Sequence, residues 1–322
     1  MRSFIWLLIA VSAAFFPSCH RRPFDGPCDT MAQIPIGTVW EKSGVDVKNV
    51  TVYFYDKADG RLIREHRFEN THRTIQSYVT LPFGEYTVVF HNEIREQIKY
   101  LSVRGYEQYA TLEFYSQSDN PVQTRDPADN YIRQPEPLAV ATVSDFVAVP
   151  DEENTHLVGI EPLQKNSYMD ITVHVKRLNN ARMPALVDLR NVAASFFAQT
   201  DQPSGSPATI QFTMNNRQYD EGSVTDGIIS ARVSLHGTLT DRYSIAGHTS
   251  KPIYLDMLFM LTDKDKTVIR HTVDITSLIR FAPQTNGSVL LTVPVDLTEA
   301  LPDVVPEGST DSGFGSDLED WD

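Results

Sequence analysis

The chain has 322 residues, 41% of them hydrophobic, and a formal net charge of -14. A chain of that length and apolar content buries a sizeable core and divides naturally into two domains. Its negative charge is repelled by phosphate backbones and anionic head groups, which argues against nucleic acid as a partner and against charge as what holds the chain to a membrane.

Met1-Arg2-Ser3 forms a short basic start, and Phe4 to Phe16 is almost wholly apolar. A bilayer-crossing helix needs roughly 20 apolar residues, and this run is cut short by Pro17-Ser18-Cys19, so it reads as a signal peptide. The tetrapeptide Phe16-Pro17-Ser18-Cys19, with small Ser18 directly before the cysteine, resembles a permissive lipobox, a resemblance that implies cleavage between Ser18 and Cys19 and lipid on Cys19. An ordinary secretory peptide cut near Ala13 or Ala14 is the alternative. The only other cysteine is Cys28, so no disulfide framework exists.

From Ile34 onward the pattern alternates with period two, the mark of strands with one face in a core. Val50, Val52 and Phe54 fall on one side of the first clear strand, with Thr51, Tyr53 and Tyr55 on the other. Asp59-Gly60 gives a turn into a second extended stretch, Arg61 to Phe68. Tyr78 to Leu81 and Glu85 to Phe90 flank the bend Pro82-Phe83-Gly84, and shorter strands are predicted at Tyr100 to Val103 and Ala110 to Tyr115. Ser116 to Pro137 loses the apolar period and reads as a linker or long loop, and Leu138 to Val149 as a strand or arm joining two domains. Beyond it Met169, Ile171, Val173 and Val175 alternate with polar residues, as do Ile229, Ala231, Val233 and Leu235. Thr262 to Lys266 is a polar turn inside a hairpin, Thr276 to Arg280 a helical turn capped by a hydroxyl, and Val289 to Val295 the closing strand. The expectation is an all-β chain of two tandem antiparallel sandwiches: signal peptide 1–18, lipidated tether 19–33, first sandwich 34–116, linker or connecting arm 117–150, second sandwich 151–298, and an acidic tail 299–322.

Catalytic signals are weak. The nine histidines have no metal-ligand spacing, and His174 and His236 fall on polar strand faces, as solvated residues would. No nucleophile elbow or phosphate loop is present. Asp263 and Asp265 supply too few oxygens for a Ca²⁺ site. No cofactor is expected. Tyr53 and Tyr55 form either a sugar-stacking platform or a face covered by a neighbouring segment, the reading favoured here. Asp29-Thr30-Met31 resembles a site at which Bacteroidota attach O-glycans, at Thr30. The aromatics Phe314 and Trp321 in the acidic tail either dock on the second sandwich or form a segment that a partner captures.

The order of these pieces resembles the fimbrillin-related lipoproteins of Bacteroidota: the tetrapeptide Phe16-Pro17-Ser18-Cys19, Cys28, a strand ending at Trp40, Leu81-Pro82-x-Gly84-x-Tyr86, and Gly313-Phe314-x-x-Asp317-Leu318-x-Asp320-Trp321. That group includes fimbrial anchor and accessory subunits and members known only as domains of unknown function. The resemblance implies two transthyretin-like β-sandwiches and a lipid tether to the outer membrane, displayed at the cell surface, although the basic His20-Arg21-Arg22 departs from the acidic residues that often follow the cysteine in surface-exported relatives. It further implies a non-enzymatic anchor or accessory role, with fimbrial subunits joined by strand addition. A glycan-binding lipoprotein serving polysaccharide uptake is the alternative.

Overall fold

The computed structural model describes residues 31–71, 75–93, 100–121, 129–149, 156–239 and 251–304. The expectations for Ser18, Cys19, Thr30, Phe314 and Trp321 lie outside the described residues. In chain order the first strands are β1 Met31–Thr38, β2 Asn49–Asp56, β3 Leu62–Glu69, β4 Ser77–Pro82, β5 Gly84–Asn92, β6 Leu101–Arg104, β7 Glu113–Ser116, β8 Ala139–Ala148, β9 Leu157–Ile160 and β10 Leu163–Gln164. They continue with β11 Ser167–Val175, β12 Ala185–Ala193, β13 Ser195–Phe197, β14 Gln202–Pro203, β15 Pro207–Met214, β16 Asn216–Tyr219, β17 Gly227–Leu235, β18 Tyr254–Met260, β19 Val268–Asp274, β20 Arg280–Pro283 and β21 Val289–Asp296.

In the first sandwich the sheet β4-β1-β9 faces the sheet β10-β8-β5-β2-β3. Ile34 and Ile36 of β1, Val50, Val52 and Phe54 of β2, and Val88 and Phe90 of β5 meet in one core. The β2–β3 hairpin turns where the alternation predicts, with Gly60 at φ 71°, a left-handed conformation that glycine adopts without cost. The bend between β4 and β5 is tied by the Tyr86 hydroxyl, which donates to the Pro82 carbonyl at 2.8 Å.

The second sandwich packs the sheet β15-β12-β18-β19 against the sheet β16-β17-β11-β21-β20. Met169, Ile171, Val173 and Val175 of β11 are fully buried and share a core with Val187 and Leu189 of β12 and with Leu255, Met257 and Phe259 of β18. Most pairings are antiparallel. Among the described strands, β1 runs parallel to β9 and β11 parallel to β21.

Three features differ from the sequence reading. Ala139 to Ala148 does not merely connect: it pairs with β5 from Gly84↔Ala148 to His91↔Val140 and sits inside the first sandwich, as do β9 and β10 beyond it. Thr276 to Leu278 forms a turn and not a helix, with the Asp274 carboxylate accepting from the Thr276 amide at 2.9 Å. Finally, a fifth sheet, β14-β13-β7-β6, contains strands from both halves of the chain. Within it β7 pairs with β13 through Ser195↔Tyr115, Phe196↔Phe114 and Phe197↔Glu113. The two sandwiches are thus joined by main-chain hydrogen bonds as well as by the chain itself.

That fifth sheet lies on the outer face of β2, β5 and β8. Tyr53 is 1% and Tyr55 0% exposed, packed with Leu101, Phe114 and Phe196. The Tyr55 hydroxyl donates to the Tyr106 carbonyl at 3.0 Å, so its polar end is satisfied in a dry layer, and burial pushes the hydroxyl's pKa far up. This corrects the ligand-contact reading of Tyr53 and Tyr55, because neither ring reaches the surface.

Candidate functional site at an open sheet edge

A strand at a sheet edge presents unpaired N–H and C=O groups that can recruit another strand, and folded proteins usually blunt such edges. Among the described residues the long edges other than that of β19 are bulged or partly covered. Strand β3 carries a register shift against β2 at Phe54 and Tyr55, and its side chains reach the facing β4, where Arg64 donates to the Thr80 carbonyl at 3.1 Å and His66 hydrogen-bonds Ser77 at 3.0 Å. The edge of β15 is covered by Asn130 to Ile132: the Thr209 amide donates to the Asn130 carbonyl and the Ile132 amide to the Thr209 carbonyl, both at 2.9 Å. Strand β20 is only four residues long and ends at Pro283.

Strand β19 is different. It runs for seven residues, Val-Ile-Arg-His-Thr-Val-Asp, pairs only with β18 among the described residues, and contains neither proline nor bulge. Not one of its residues is fully buried, and Val268 is 41% exposed. The Leu261 amide donates to the Thr267 carbonyl at 2.8 Å and the Ile275 amide to the Ile253 carbonyl at 2.9 Å. Odd-numbered residues therefore bond to β18, and the main-chain groups of Val268, Arg270, Thr272 and Asp274 point to the free edge.

Behind this edge, on the outer face of the sheet, Asp188 of β12 stands directly opposite Asp256 of β18, and both are 0% exposed. Each has its own partners. Asp188 accepts from the Tyr131 hydroxyl at 3.0 Å and from the Gln211 amide at 2.8 Å. Asp256 accepts from Arg190 at 3.2 Å and from the Thr272 hydroxyl. Burial, and to a lesser degree the facing Asp256, hold the Asp188 pKa above the ordinary carboxylate range. Paired carboxylates of this kind do acid–base work only when a substrate can come between them. These two are sealed within a sheet face.

A second polar cluster locks the junction of the two halves. The Ser116 hydroxyl lies 3.0 Å from His236 Nε2, a spacing that also suits a nucleophile and its base. Here both residues are buried, at 4% and 3% exposure, so no substrate reaches them. Beside them Glu113 accepts from Arg104 at 2.6 and 2.8 Å and from the Ser195 hydroxyl. Burial works against the Glu113 charge, but the Arg104 and Ser195 hydrogen bonds outweigh it and hold the Glu113 pKa low. Burial lowers His236 to about 3. The solvated reading of His236 is thereby corrected: its strand leaves the polar face where β17 ends at Leu235, and the ring turns into the junction. His174 does stand partly exposed, 2.7 Å from Asp220. Asp263 accepts from the Thr267 amide at 2.8 Å and from the Thr267 hydroxyl, which closes the β18–β19 turn. Among the described residues no group of three or more His, Cys, Asp or Glu is placed to hold a metal, and no helix is long and apolar enough to cross a membrane.

Neither the open edge nor the junction cluster was singled out from sequence. The junction joins residues 120 positions apart, which no local pattern records.

This architecture defines a two-sandwich, all-β protein. A candidate adhesin from Bacteroides ovatus aligns over 88% of this chain and 98% of its own, at 17% identity and a TM-score of 0.58. A candidate polysaccharide-binding protein from Bacteroides thetaiotaomicron covers 84% of this chain and 92% of its own, with 10% identity and a TM-score of 0.49. The fimbrial anchor protein Mfa2 from Porphyromonas gingivalis covers 81% and 90%, with 12% identity and a TM-score of 0.44. No curated protein matches the sequence. Residues 18–213 match the family described as a domain of unknown function (DUF5119), and the chain belongs to that family. The fold it shares with the candidate adhesin is the β-sandwich fold that the fimbrillin-related resemblance implies.

Proposed function

We propose that this chain is a non-enzymatic surface lipoprotein, held by lipid on Cys19, that serves as an anchor or accessory subunit of a fimbria-like assembly or adhesin. The unblunted β19 edge carries this reading, set in a fold shared over most of its length with a candidate adhesin. An open edge recruits a partner through main-chain hydrogen bonds and needs no reacting side chain. The bonds between β7 and β13 tie the two sandwiches, so a pull on the partner passes to the tether through a sheet and not through a loose linker. The test is retention of surface fibres on intact cells. Deletion of the chain should reduce fibre number or release fibres into the medium, and Cys19→Ala should move the folded protein out of the outer-membrane fraction. Unchanged fibres on the deletion strain would overturn the assembly role, and Cys19→Ala protein that still fractionates with the outer membrane would overturn the anchor.

A second reading, glycan capture, is favoured by an open cleft of about 890 Å³ at one end of the first sandwich. Its lining includes Glu41, Asp46, Asn49, Glu69 and Asn70, side chains suited to sugar hydroxyls. Binding on a glycan array that is lost in Asn49→Ala and Asn70→Ala, with fibres unaffected by deletion, would establish this reading in place of the first.

A further inference from the structure

The free edge of β19 carries a charge pattern complementary to itself, and the geometry points to a second copy of this chain as its occupant. This rests on the reading of β19 as a docking edge and names what docks there. If two β19 strands pair antiparallel about a two-fold axis at Thr272, Thr272 opposes its own counterpart and Arg270 opposes Asp274 of the other copy, twice by symmetry. The register suits the main chain, because Arg270, Thr272 and Asp274 are the residues whose N–H and C=O groups point away from β18. Three opposed pairs of this type would exchange six hydrogen bonds.

Side-chain chemistry selects this register over its neighbours. Arg270, Thr272 and Asp274 share the outer face of the sheet, where Thr272 donates to Asp256. Centring the pair at Arg270 would set two guanidinium groups against each other, and centring it at Asp274 two carboxylates, both unfavourable between directly opposed residues. Centring at His271 or Val273 leaves Arg270 and Asp274 without each other. Only the Thr272 register sets both charges of this face against their opposites. On the inner face Ile269, His271 and Val273 are half-buried at the rim of the second core, and a neighbouring strand would complete their cover. The product is one eight-stranded sheet formed from two copies of β15-β12-β18-β19.

Charge-swapped variants of the full chain in detergent micelles test this by sedimentation equilibrium. The wild type should show a reversible dimer. Arg270→Glu places two acids at each contact and Asp274→Arg two bases, and either should weaken the dimer by about tenfold or more. The double variant R270E/D274R should regain it. An equimolar mixture of the two single variants should form a heterodimer, since each of its two contacts then sets one acid against one base. Circular dichroism on each single variant separates misfolding from lost pairing, and the mixture is a second control, because unfolded chains would not rescue each other. A wild type that stays monomeric, a dimer indifferent to both single swaps, or a mixture that fails to recover would each overturn the inference. Fibre retention in cells carrying the same variants separates the two readings. Lost fibres with a monomeric wild type would remove the second copy and keep the docking edge, whereas charge-dependent dimers with unchanged fibres on the deletion strain would remove only the assembly role.

Discussion

Strands β2 and β11 occupy interior positions in their sheets, yet their two faces are treated differently. On β11 the burial alternates strictly, with Met169, Ile171, Val173 and Val175 inside and Tyr168, Asp170, Thr172 and His174 partly wet. On β2 both faces are dry from Val50 to Tyr55, because the sheet β14-β13-β7-β6 covers the face carrying Thr51, Tyr53 and Tyr55. The contrast shows what period two reports. It marks the face that always belongs to the core, while the opposite face is dry or wet according to what distant chain folds onto it.

The largest effect that would break this contrast is removal of a ring from the covered face. Tyr55→Ala empties a fully buried site and removes the hydrogen bond to the Tyr106 carbonyl, and should cost roughly 3–5 kcal/mol in denaturant unfolding. A loss under 1 kcal/mol would mean that the covering sheet is not packed in solution.

The junction that holds the covering sheet should also respond to acid. In the unfolded chain His236 takes a proton near pH 6.5, whereas in the folded chain it does not until about 3. Between those values the unfolded state binds the extra proton, so stability falls as pH falls, by roughly 1.4 kcal/mol per pH unit from this residue. His236→Gln keeps a polar group near Ser116 and should flatten the slope between pH 6.5 and 5. An unchanged slope in that variant would place the acid sensitivity elsewhere.

A smaller effect comes from the β6–β7 hairpin of the same sheet. Gly105 has φ 63°, and a Cβ there would lie 2.2 Å from the Thr111 carbonyl oxygen. Gly105→Ala should therefore cost about 1–3 kcal/mol. Losing the Tyr86 hydroxyl in Tyr86→Phe should cost only about 0.5–1.5 kcal/mol, by chemical denaturation. Smallest of all, Thr172→Ala on the wet face of β11 should stay within about 0.5 kcal/mol of wild type. If it matched Tyr55→Ala, the distinction between the two strands would fail.

Legibility followed the same line. The β2–β3 and β18–β19 hairpins, the Pro82 to Gly84 bend and the cores of β11 and β17 were readable, because each depends on residues adjacent in sequence and on one always-buried face. Strands β12 and β15 are not legible in the sequence, although they form much of one sheet of the second sandwich. On β12 a polar residue breaks the alternation: Asp188 is as inaccessible as Val187, since Tyr131 and Gln211 satisfy it from other strands and segments. Ala139 to Ala148 was legible as extended chain, but its place beside β5 was not. At the candidate site the sequence showed the β19 hairpin arm and its charges, but nothing local distinguishes an edge strand from an interior one.

By itself the sequence determined the β class, the hairpin turns set by glycine and proline, and the apolar faces of the regular strands, all of which follow from steric limits and side-chain periodicity over a few residues. Only the tertiary structure decided that Tyr53 and Tyr55 are covered, that Ser116 meets His236 across 120 positions, and that the outer edge of β19 has no strand beside it among the described residues. Those outcomes depend on which distant surfaces meet, and a strand carries the same alternation whether its neighbour is another strand, a loop or water.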